Sequence, residues 1–498
     1  MATALDLDDF RSSAESFLEA IEREYYLQGA GHKLELELEP IYERHAGLCS
    51  AERIAELREL AEAASGEHAR GLRYLAQFAL DGLLGELTRA ETEEVARLES
   101  VLELEVGGEP VPFRQVVIEQ ANEADPERRL ALERAQSEAV AERLTPILRE
   151  ALERSHAACR ELGWGGYADA YADLRQLDFG ALAEQTERVL AGTEDAYAGA
   201  LAPRLEESAL PPLGELRRAD LPRLYRAPEL DAGFDGSRLV EAFARTMAGL
   251  GVDVSAQPNV HLDTEARATK SPRAFCSPLR VPDEVHLVVA PIGGREDFGA
   301  MMHEGGHLEH YANTSAGLPF EYRYLGDNGV TESFAFLFER LGEDPAWLAD
   351  VLGIESAEPV LAHARASWLV LLRRYCAKLV YERELHADAP DLEALPGRYT
   401  ELLGGATRVA WPQEPWLLDV DPGFYVVCYL RAWALETHWR RALRERFGER
   451  WYAEPEAGEW LLGLWRNGQR LPAEELLGEA LGERLDFGPL VAELTAVG

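Results

Sequence analysis

Two histidines and a glutamate fall within five consecutive residues, His303-Glu304-Gly305-Gly306-His307. On a helix, positions i and i+4 share one face about one turn apart, so both imidazoles can reach a single metal ion. Glu304 leans toward the same side, where it can touch a water on that ion without binding the ion itself. The H-E-x-x-H spacing is typical of helices that bind zinc and use the glutamate to activate water. A solvated helix face without metal is the alternative.

A strand, a turn and a helix start are predicted just ahead of this motif. Residues 285–290 form an apolar run that is typical of a buried or half-buried strand. Residues 292–297 predict a turn that leads into a helix, and Glu296 and Asp297 suit the positive end of the helix dipole. The edge of such a strand could pair with a peptide backbone while the helix holds the ion beneath it.

The two glycines inside the motif are unfavourable residues for a helix. Together, Gly305 and Gly306 cost a helix roughly 2 kcal/mol relative to alanine. We therefore expect them to let another backbone approach the helix closely. For Gly305, a tolerated substitution without such a role is the alternative.

A second helix offers a third metal ligand. A catalytic zinc ion usually takes three protein ligands and leaves a fourth position for water. Residues 328–339 predict a capped and strongly apolar helix, and Glu332 and Glu339 lie seven residues apart on one of its faces. Carboxylates on the buried side of a helix are unfavourable unless they are paired or bound to a metal. We therefore expect Glu332 to bind zinc, and an ion pair with Arg340 or Arg323 is the alternative.

The motif and its spacing resemble the M3 family of zinc metallopeptidases, the oligoendopeptidase F and thimet oligopeptidase group. That family shows H-E-x-G-H-x-x-H, a ligand glutamate 25 residues after the second histidine and a further glutamate seven residues later. In this chain His310 completes the first pattern, and Glu332 and Glu339 stand at the two later positions. We expect Glu339 and His310 to contact the metal ligands without binding the ion, and Glu339 to orient a ligand histidine by accepting a hydrogen bond from it. For His310, a plain structural histidine is the alternative.

The resemblance implies a peptidase that cleaves short oligopeptides with one zinc ion per chain. His303, His307 and Glu332 would bind the ion. Glu304 would accept the proton as water attacks the peptide carbonyl and then pass it to the leaving amine.

Two further segments resemble the same family. Residues 271–276 resemble the stretch ahead of its active-site strand, and residues 424–429 resemble its tyrosine-bearing segment, which faces the scissile bond. Tyr425, or else Tyr429, would donate a hydrogen bond to the oxyanion, and packing in a core is the alternative for each. The family's histidine a few residues before the tyrosines is missing, because residues 416–421 are Trp-Leu-Leu-Asp-Val-Asp.

Two other functions remain open from the sequence. The M32 carboxypeptidases have a similar length, a similar motif and a third ligand at nearly the same spacing. A non-catalytic helical binding protein that retains a metal site is the other possibility, and the missing histidine favours it.

The charge and the cysteines limit the partners and the compartment. The 498 residues carry a net charge of −39, which disfavours nucleic acid and anionic membranes because phosphates would be repelled. No stretch of about 18 apolar residues predicts a membrane helix. Five widely spaced cysteines without a C-x-x-C pair, and an N-terminus without a signal sequence, indicate a reducing, cytoplasmic compartment. No feature predicts the oligomeric state.

The helical pattern suggests two domains. Residues 5 to about 205 show apolar residues at three- and four-residue spacing almost throughout. We expect an N-terminal helical lobe over 1–205 and a catalytic domain over 206–498, mainly α with one small β-sheet beside the zinc helix. The resemblance implies two helical lobes around a deep channel with zinc at its floor, which only short, unfolded peptides could enter.

Overall fold

Most of the chain is helix. The computed structural model describes residues 5–267, 269–271, 273–290 and 293–496, and 69% of the chain is helical while 5% forms strands. This confirms the mainly α class with small sheets. Residue 272 of the stretch 271–276 and residue 292 of the predicted turn lie outside the described residues. Within the described ranges, no helix combines the length and the apolar composition that a membrane crossing requires.

The helices and strands have the following bounds. The helices, in chain order, are α1 (Leu7–Gly29), α2 (Glu39–Arg44), α3 (Ala51–Ala63), α4 (Gly66–Leu87), α5 (Arg89–Val101), α6 (Val116–Asn122), α7 (Pro126–Ala139), α8 (Thr145–Glu161), α9 (Tyr167–Arg175), α10 (Phe179–Gly192), α11 (Glu194–Glu207), α12 (Leu221–Arg226), α13 (Leu239–Gly249), α14 (Arg295–Ala312), α15 (Phe320–Arg323), α16 (Asn328–Glu339), α17 (Pro345–Trp347), α18 (Glu358–Leu385), α19 (Leu395–Thr407), α20 (Val426–Phe447), α21 (Pro455–Trp465), α22 (Ala473–Leu481) and α23 (Gly488–Thr495). The strands are β1 (Glu103–Val106), β2 (Glu109–Pro112), β3 (Val260–Asp263), β4 (Phe275–Arg280) and β5 (Glu284–Val288).

The chain forms two compact units, each built from several segments. The first unit comprises Met1–Leu80, Glu229–Leu361 and Arg431–Pro489, and the second comprises Asp81–Pro228, Ala362–Leu430 and Leu490–Gly498. Residue 205 lies inside the second unit, and a domain boundary at 205/206 stays a prediction.

The first unit contains a three-stranded sheet in the order β3-β5-β4. Strand β3 runs parallel to β5, and β4 runs antiparallel to it. Leu262, Leu287 and Cys276 are paired in register across the three strands, so their side chains share one face of the sheet. Strand β5 covers most of the predicted strand 285–290, and Val285 and Leu287 are fully buried as its apolar run predicts.

Helices α14 and α16 carry the candidate ligands, and both have well-defined starts. Gly293 and Gly294, with φ of 105° and 95°, form the turn before α14, a conformation that favours glycine. Asp297 accepts a hydrogen bond from the Gly293 amide at 2.7 Å. Asp327 caps α16 by accepting from the Gly329 amide at 2.9 Å. Local contacts therefore fix the point at which each ligand-bearing helix begins.

A continuous apolar core surrounds α14 and α16. The members from these two helices that are at most 1% exposed are Phe298, Met301, Met302, Leu308, Val330, Phe334, Leu337 and Phe338. Close-packed protein interiors leave little freedom for one helix to shift along another. Polar groups between the two helices are therefore held at fixed distances.

The second unit contains a β-hairpin that the sequence prediction missed. Strands β1 and β2 pair antiparallel, and Gly107 and Gly108 form the turn with φ of 65° and 86°. The prediction of helix almost throughout residues 5–205 assigned no strand to this stretch. Buried Leu104 and Val111 pair across it, and two glycines between short alternating segments are a recognised hairpin signal.

Candidate metal centre

The structure brings His303, His307 and Glu332 together. The Nε2 atoms of His303 and His307 lie 3.5 and 3.7 Å from the same oxygen, Oε2 of Glu332. One donor atom from each side chain falls within 4.8 Å of the other two. Two imidazole nitrogens and a carboxylate oxygen form a donor set that zinc takes in hydrolases. The three side chains therefore fit a zinc ion.

The other ring nitrogen of each histidine is held by α16. Nδ1 of His303 donates to Oε2 of Glu339, and Nδ1 of His307 hydrogen-bonds Oγ1 of Thr331, both at 2.8 Å. A proton on Nδ1 leaves the lone pair of Nε2 free, which is the form of the ring that binds a metal. Glu339 thus makes the kind of contact expected of it. Thr331 was not predicted as a site residue, although it directly precedes Glu332.

The charges at the site compensate one another. Burial alone would raise the pKa of Glu332, but His307 and His303 outweigh burial and hold this pKa below its ordinary value. Burial alone would lower the pKa of His303, but the carboxylates of Glu332 and Glu339 outweigh burial and raise it well above its ordinary value. The site therefore stabilises positive charge where the donors converge.

Glu304 is held by the backbone of strand β4. The amide of Cys276 donates a hydrogen bond to Oε2 of Glu304 at 2.8 Å. Among the described residues, no second hydrogen bond or ion pair involves Glu304, so its Oε1 remains available to accept a proton. The contact between Glu304 and the amide of Cys276 was not predicted, because a backbone donor cannot be recognised from the type of the residue.

Both glycines of the motif lie where a Cβ would clash. A Cβ at Gly306 would lie 2.6 Å from Cα of Ala335 and 2.7 Å from the backbone oxygen of Phe334. The expected close approach of another backbone is therefore present at Gly306. It brings α16, which carries Glu332, into direct contact with α14. A Cβ at Gly305 would lie 2.3 Å from the ring of Phe243, so a side chain rather than a backbone occupies that position.

The motif residues are also the accessible ones. In the buried stretch from residue 301 to residue 310, His303, Glu304 and His307 keep intermediate exposure, while the seven others are buried. Part of each of these three side chains therefore stays open to solvent, whereas the rest of this part of α14 does not.

His310 is used differently from the other motif histidines. Its fully buried ring places Nε2 3.2 Å from the carbonyl oxygen of Gly468 and packs against Tyr311 and Phe334. Burial lowers the pKa of His310 to about 3, so the ring is neutral. Among the described residues, no hydrogen bond joins His310 to a candidate ligand, which favours the structural alternative.

Tyr425 and Tyr429 belong to the second unit. Tyr425 lies directly before α20, and its ring centroid is 5.0 Å from that of Tyr429 in a T-shaped contact. Tyr429 also contacts the ring of Tyr375, with centroids 5.6 Å apart. The candidate metal ligands belong to the first unit, and the placement of either tyrosine at the scissile bond stays a prediction.

Known proteins supply no independent identification of this site. No protein-family model matches the chain, and no curated protein matches it. Its function has to be inferred from the side chains and their geometry.

Proposed function

We propose that this chain is a zinc peptidase that hydrolyses peptide bonds in short oligopeptides. The convergence of His303 Nε2, His307 Nε2 and Glu332 Oε2 carries the proposal, together with the accessible Glu304 carboxylate on the same helix. A zinc ion held by these donors supplies Lewis-acid activation of water and of the scissile carbonyl.

Glu304 is the proton carrier in this proposal. The Cys276 amide fixes Oε2, and this leaves Oε1 to take a proton from the attacking water and return it to the leaving amine. Glu339 and Thr331 hold the two imidazoles so that both Nε2 atoms keep facing Glu332. Each of these contacts acts before any substrate arrives, so the site is preorganised.

The substrate size and the oxyanion contact are the parts of the proposal that rest on the resemblance to the M3 family. In that family two helical lobes enclose a deep channel that admits short, unfolded peptides, and the mainly helical composition agrees with such an architecture. Tyr425, or else Tyr429, would donate to the oxyanion. All five cysteines belong to the described residues and none forms a disulfide bond, which supports a reducing, cytoplasmic setting.

A single exchange tests the proposal. Glu304→Gln should keep about one zinc ion per chain and an unchanged thermal melt, yet lower peptide cleavage by roughly 10²- to 10⁴-fold, the usual worth of general acid–base catalysis. Glu296→Gln, at an exposed position of the same helix, is the matched control and should cleave normally. Metal analysis and a broad set of quenched fluorescent peptides measure both properties.

The outcomes separate this function from the two alternatives. A Glu304→Gln variant that cleaves at the wild-type rate would remove Glu304 from the mechanism. Internal cuts in peptides blocked at both ends support an oligopeptidase, whereas cleavage that requires a free C-terminus supports a metallocarboxypeptidase of the M32 type. Bound zinc without cleavage of any peptide supports the non-catalytic binding protein.

A further inference from the structure

Glu22 on α1 is a half-buried carboxyl group without a positive partner in the part of the chain that the structure describes. Its Oε1 accepts a hydrogen bond from the Tyr324 hydroxyl at 2.8 Å, and no cation of the described residues forms an ion pair with it. Neighbouring acids of the same helix are paired, since Glu19 contacts Arg23 and Glu24 contacts Lys33. Burial raises the pKa of Glu22, and the Tyr324 bond opposes this rise only in part.

A row of aromatic rings connects Glu22 to the metal site. The ring of Tyr311 stacks on His307 with centroids 6.3 Å apart and an interplanar angle of 21°. Tyr311 also stacks on Tyr324 at 5.8 Å and 27°, and the Tyr324 hydroxyl holds Glu22. Glu22 is therefore three side-chain contacts away from a candidate zinc ligand, within one unit of the protein.

Cys276 on β4 lies near both Glu22 and Glu304. Burial, and then the carboxylates of Glu304 and Glu22, raise the pKa of the Cys276 thiol well above its ordinary value. Both carboxylates thus act on one thiol, whose own backbone amide binds Glu304. Glu22, Cys276, Tyr324 and Glu304 all keep intermediate exposure, so each of them has surface that a ligand can contact.

We propose that Glu22 is a specificity-determining residue that binds a positively charged nitrogen of the substrate peptide. This inference rests on the proposed peptidase function and assigns its substrate class. A carboxylate partly withdrawn from water with one neutral donor is poorly compensated, and an ammonium or guanidinium group would supply the missing charge-assisted hydrogen bond. The net charge of −39 also draws cationic peptides toward the protein.

The charged nitrogen can come from a basic side chain or from the N-terminus of the peptide. Quenched peptides of one scaffold would carry lysine or its neutral analogue norleucine at successive positions, each with a free or an acetylated N-terminus. Preference for lysine at one position identifies the side chain, whereas preference for the unacetylated peptides identifies the N-terminal ammonium.

Glu22→Gln keeps the acceptor for the Tyr324 hydroxyl and removes only the charge. Wild-type protein should cleave the preferred cationic peptide with a kcat/KM at least about tenfold above its neutral counterpart. The Glu22→Gln variant should cleave both at similar rates, with the neutral peptide and the zinc content unchanged. Glu19→Gln removes the same charge from the same helix, one turn earlier, and should keep the wild-type preference.

Each outcome decides between the two proposals. A Glu22→Gln variant with the wild-type preference, or wild-type protein without any preference for cationic peptides, overturns the role of Glu22 and leaves the peptidase proposal intact. Equal loss in the Glu19→Gln variant shows an effect of overall charge and also overturns it. Wild-type protein that cleaves no peptide removes the proposed function and, with it, this inference.

Discussion

Each unit holds a pair of neighbouring histidines, and the two pairs differ in what surrounds them. In the first unit the rings of His303 and His307 have centroids 5.0 Å apart, and in the second unit those of His156 and His386 are 5.2 Å apart. The first pair turns both Nε2 atoms toward Glu332. In the second pair, Nε2 of His156 and Nδ1 of His386 hydrogen-bond each other at 2.9 Å. Similar ring separations thus give a convergent donor set in one unit and a closed contact in the other.

Neighbouring carboxylates account for this difference. They raise the pKa of His303 well above its ordinary value against the effect of burial. Burial, with a smaller effect of Arg160, lowers the pKa of His156 to about 4. Burial, and then His156, hold the pKa of His386 well below its ordinary value. The ring of Tyr167, not an acid, stacks on His386 at 4.4 Å. A buried imidazole pair attracts a cation only where acids outweigh the desolvation of charge.

The largest expected effect concerns zinc. His307→Ala removes one of three protein donors and should weaken zinc binding by more than the roughly 10- to 100-fold that loss of a supporting partner costs. His156→Gln should leave zinc binding unchanged. Competition against a chelator, with metal analysis of the dialysed protein, measures both variants. Tight stoichiometric zinc binding by the His307→Ala protein would refute the assignment of His307 as a ligand. Loss of zinc from the His156→Gln protein would indicate that His156 and His386 bind the zinc ion instead.

The second pair should instead make the fold sensitive to acid. The folded chain keeps His156 neutral down to a pKa of about 4, below the ordinary 6.5, so between these values the unfolded state binds more protons. The free energy of unfolding is therefore undiminished above pH 6.5 and falls as the pH drops toward 4, by up to about 3 kcal/mol for this one group.

Denaturant titrations at several pH values test this acid sensitivity. His156→Gln should flatten the dependence of the unfolding free energy on pH between 6.5 and 4. His68→Gln, at an exposed histidine of α4, serves as the control and should keep the wild-type slope. An unchanged slope in the His156→Gln protein would mean that this buried pair does not govern acid stability.

The close contact between α14 and α16 at Gly306 brings Glu332 and Glu339 to the first histidine pair. One added methyl group at Gly306 should disrupt this contact. A Cβ at Gly306 would meet the backbone of α16 at 2.6 Å, so Gly306→Ala should destabilise the fold by about 1–3 kcal/mol, as overpacking does. It should also weaken zinc binding, since Glu332 moves away with α16.

Gly299→Ala is the matched control on the same helix. Among the described residues, a Cβ there would meet only Cγ of Glu339, at 3.9 Å. The higher helix propensity of alanine should stabilise the protein by up to about 1 kcal/mol. Thermal melts and zinc titrations of both variants measure the contrast. Equal effects of the two substitutions would show that helix propensity, not close approach, sets the glycine requirement at Gly306.

The sequence predicted the parts of the site that depend on one helix at a time. His303 and His307 share a face because of their spacing, and Glu332 and Glu339 share a face for the same reason. The structure adds that the two faces meet, so Glu339 binds the ring of His303. Helical periodicity places each pair on one face, and the resemblance to the M3 family pointed to Glu332 and Glu339 among the carboxylates of the chain.

Contacts made by the backbone or between distant segments could not be predicted in the same way. The Cys276 amide that binds Glu304 belongs to a strand, and every residue except proline has such an amide. Glu22 is about 300 residues from Tyr324 in the chain, and only the packing of α1 brings them together. His310 carried the misleading signal of a motif position, yet the tight packing around its ring directs it to Gly468.

The smallest expected effects separate the two partners that orient the zinc histidines. Glu339→Gln keeps an acceptor for His303 but loses the charge that makes the imidazole more basic, so zinc affinity should fall by about 10- to 100-fold. Thr331→Val removes a neutral hydroxyl from His307 at constant size, and its effect should be smaller. Chelator competition at pH 7 ranks the two variants. If Thr331→Val lowers zinc affinity more than Glu339→Gln does, the orientation of His307 matters more than the charge beside His303. Neighbouring carboxylates would then not explain why this histidine pair binds zinc and the pair in the second unit does not.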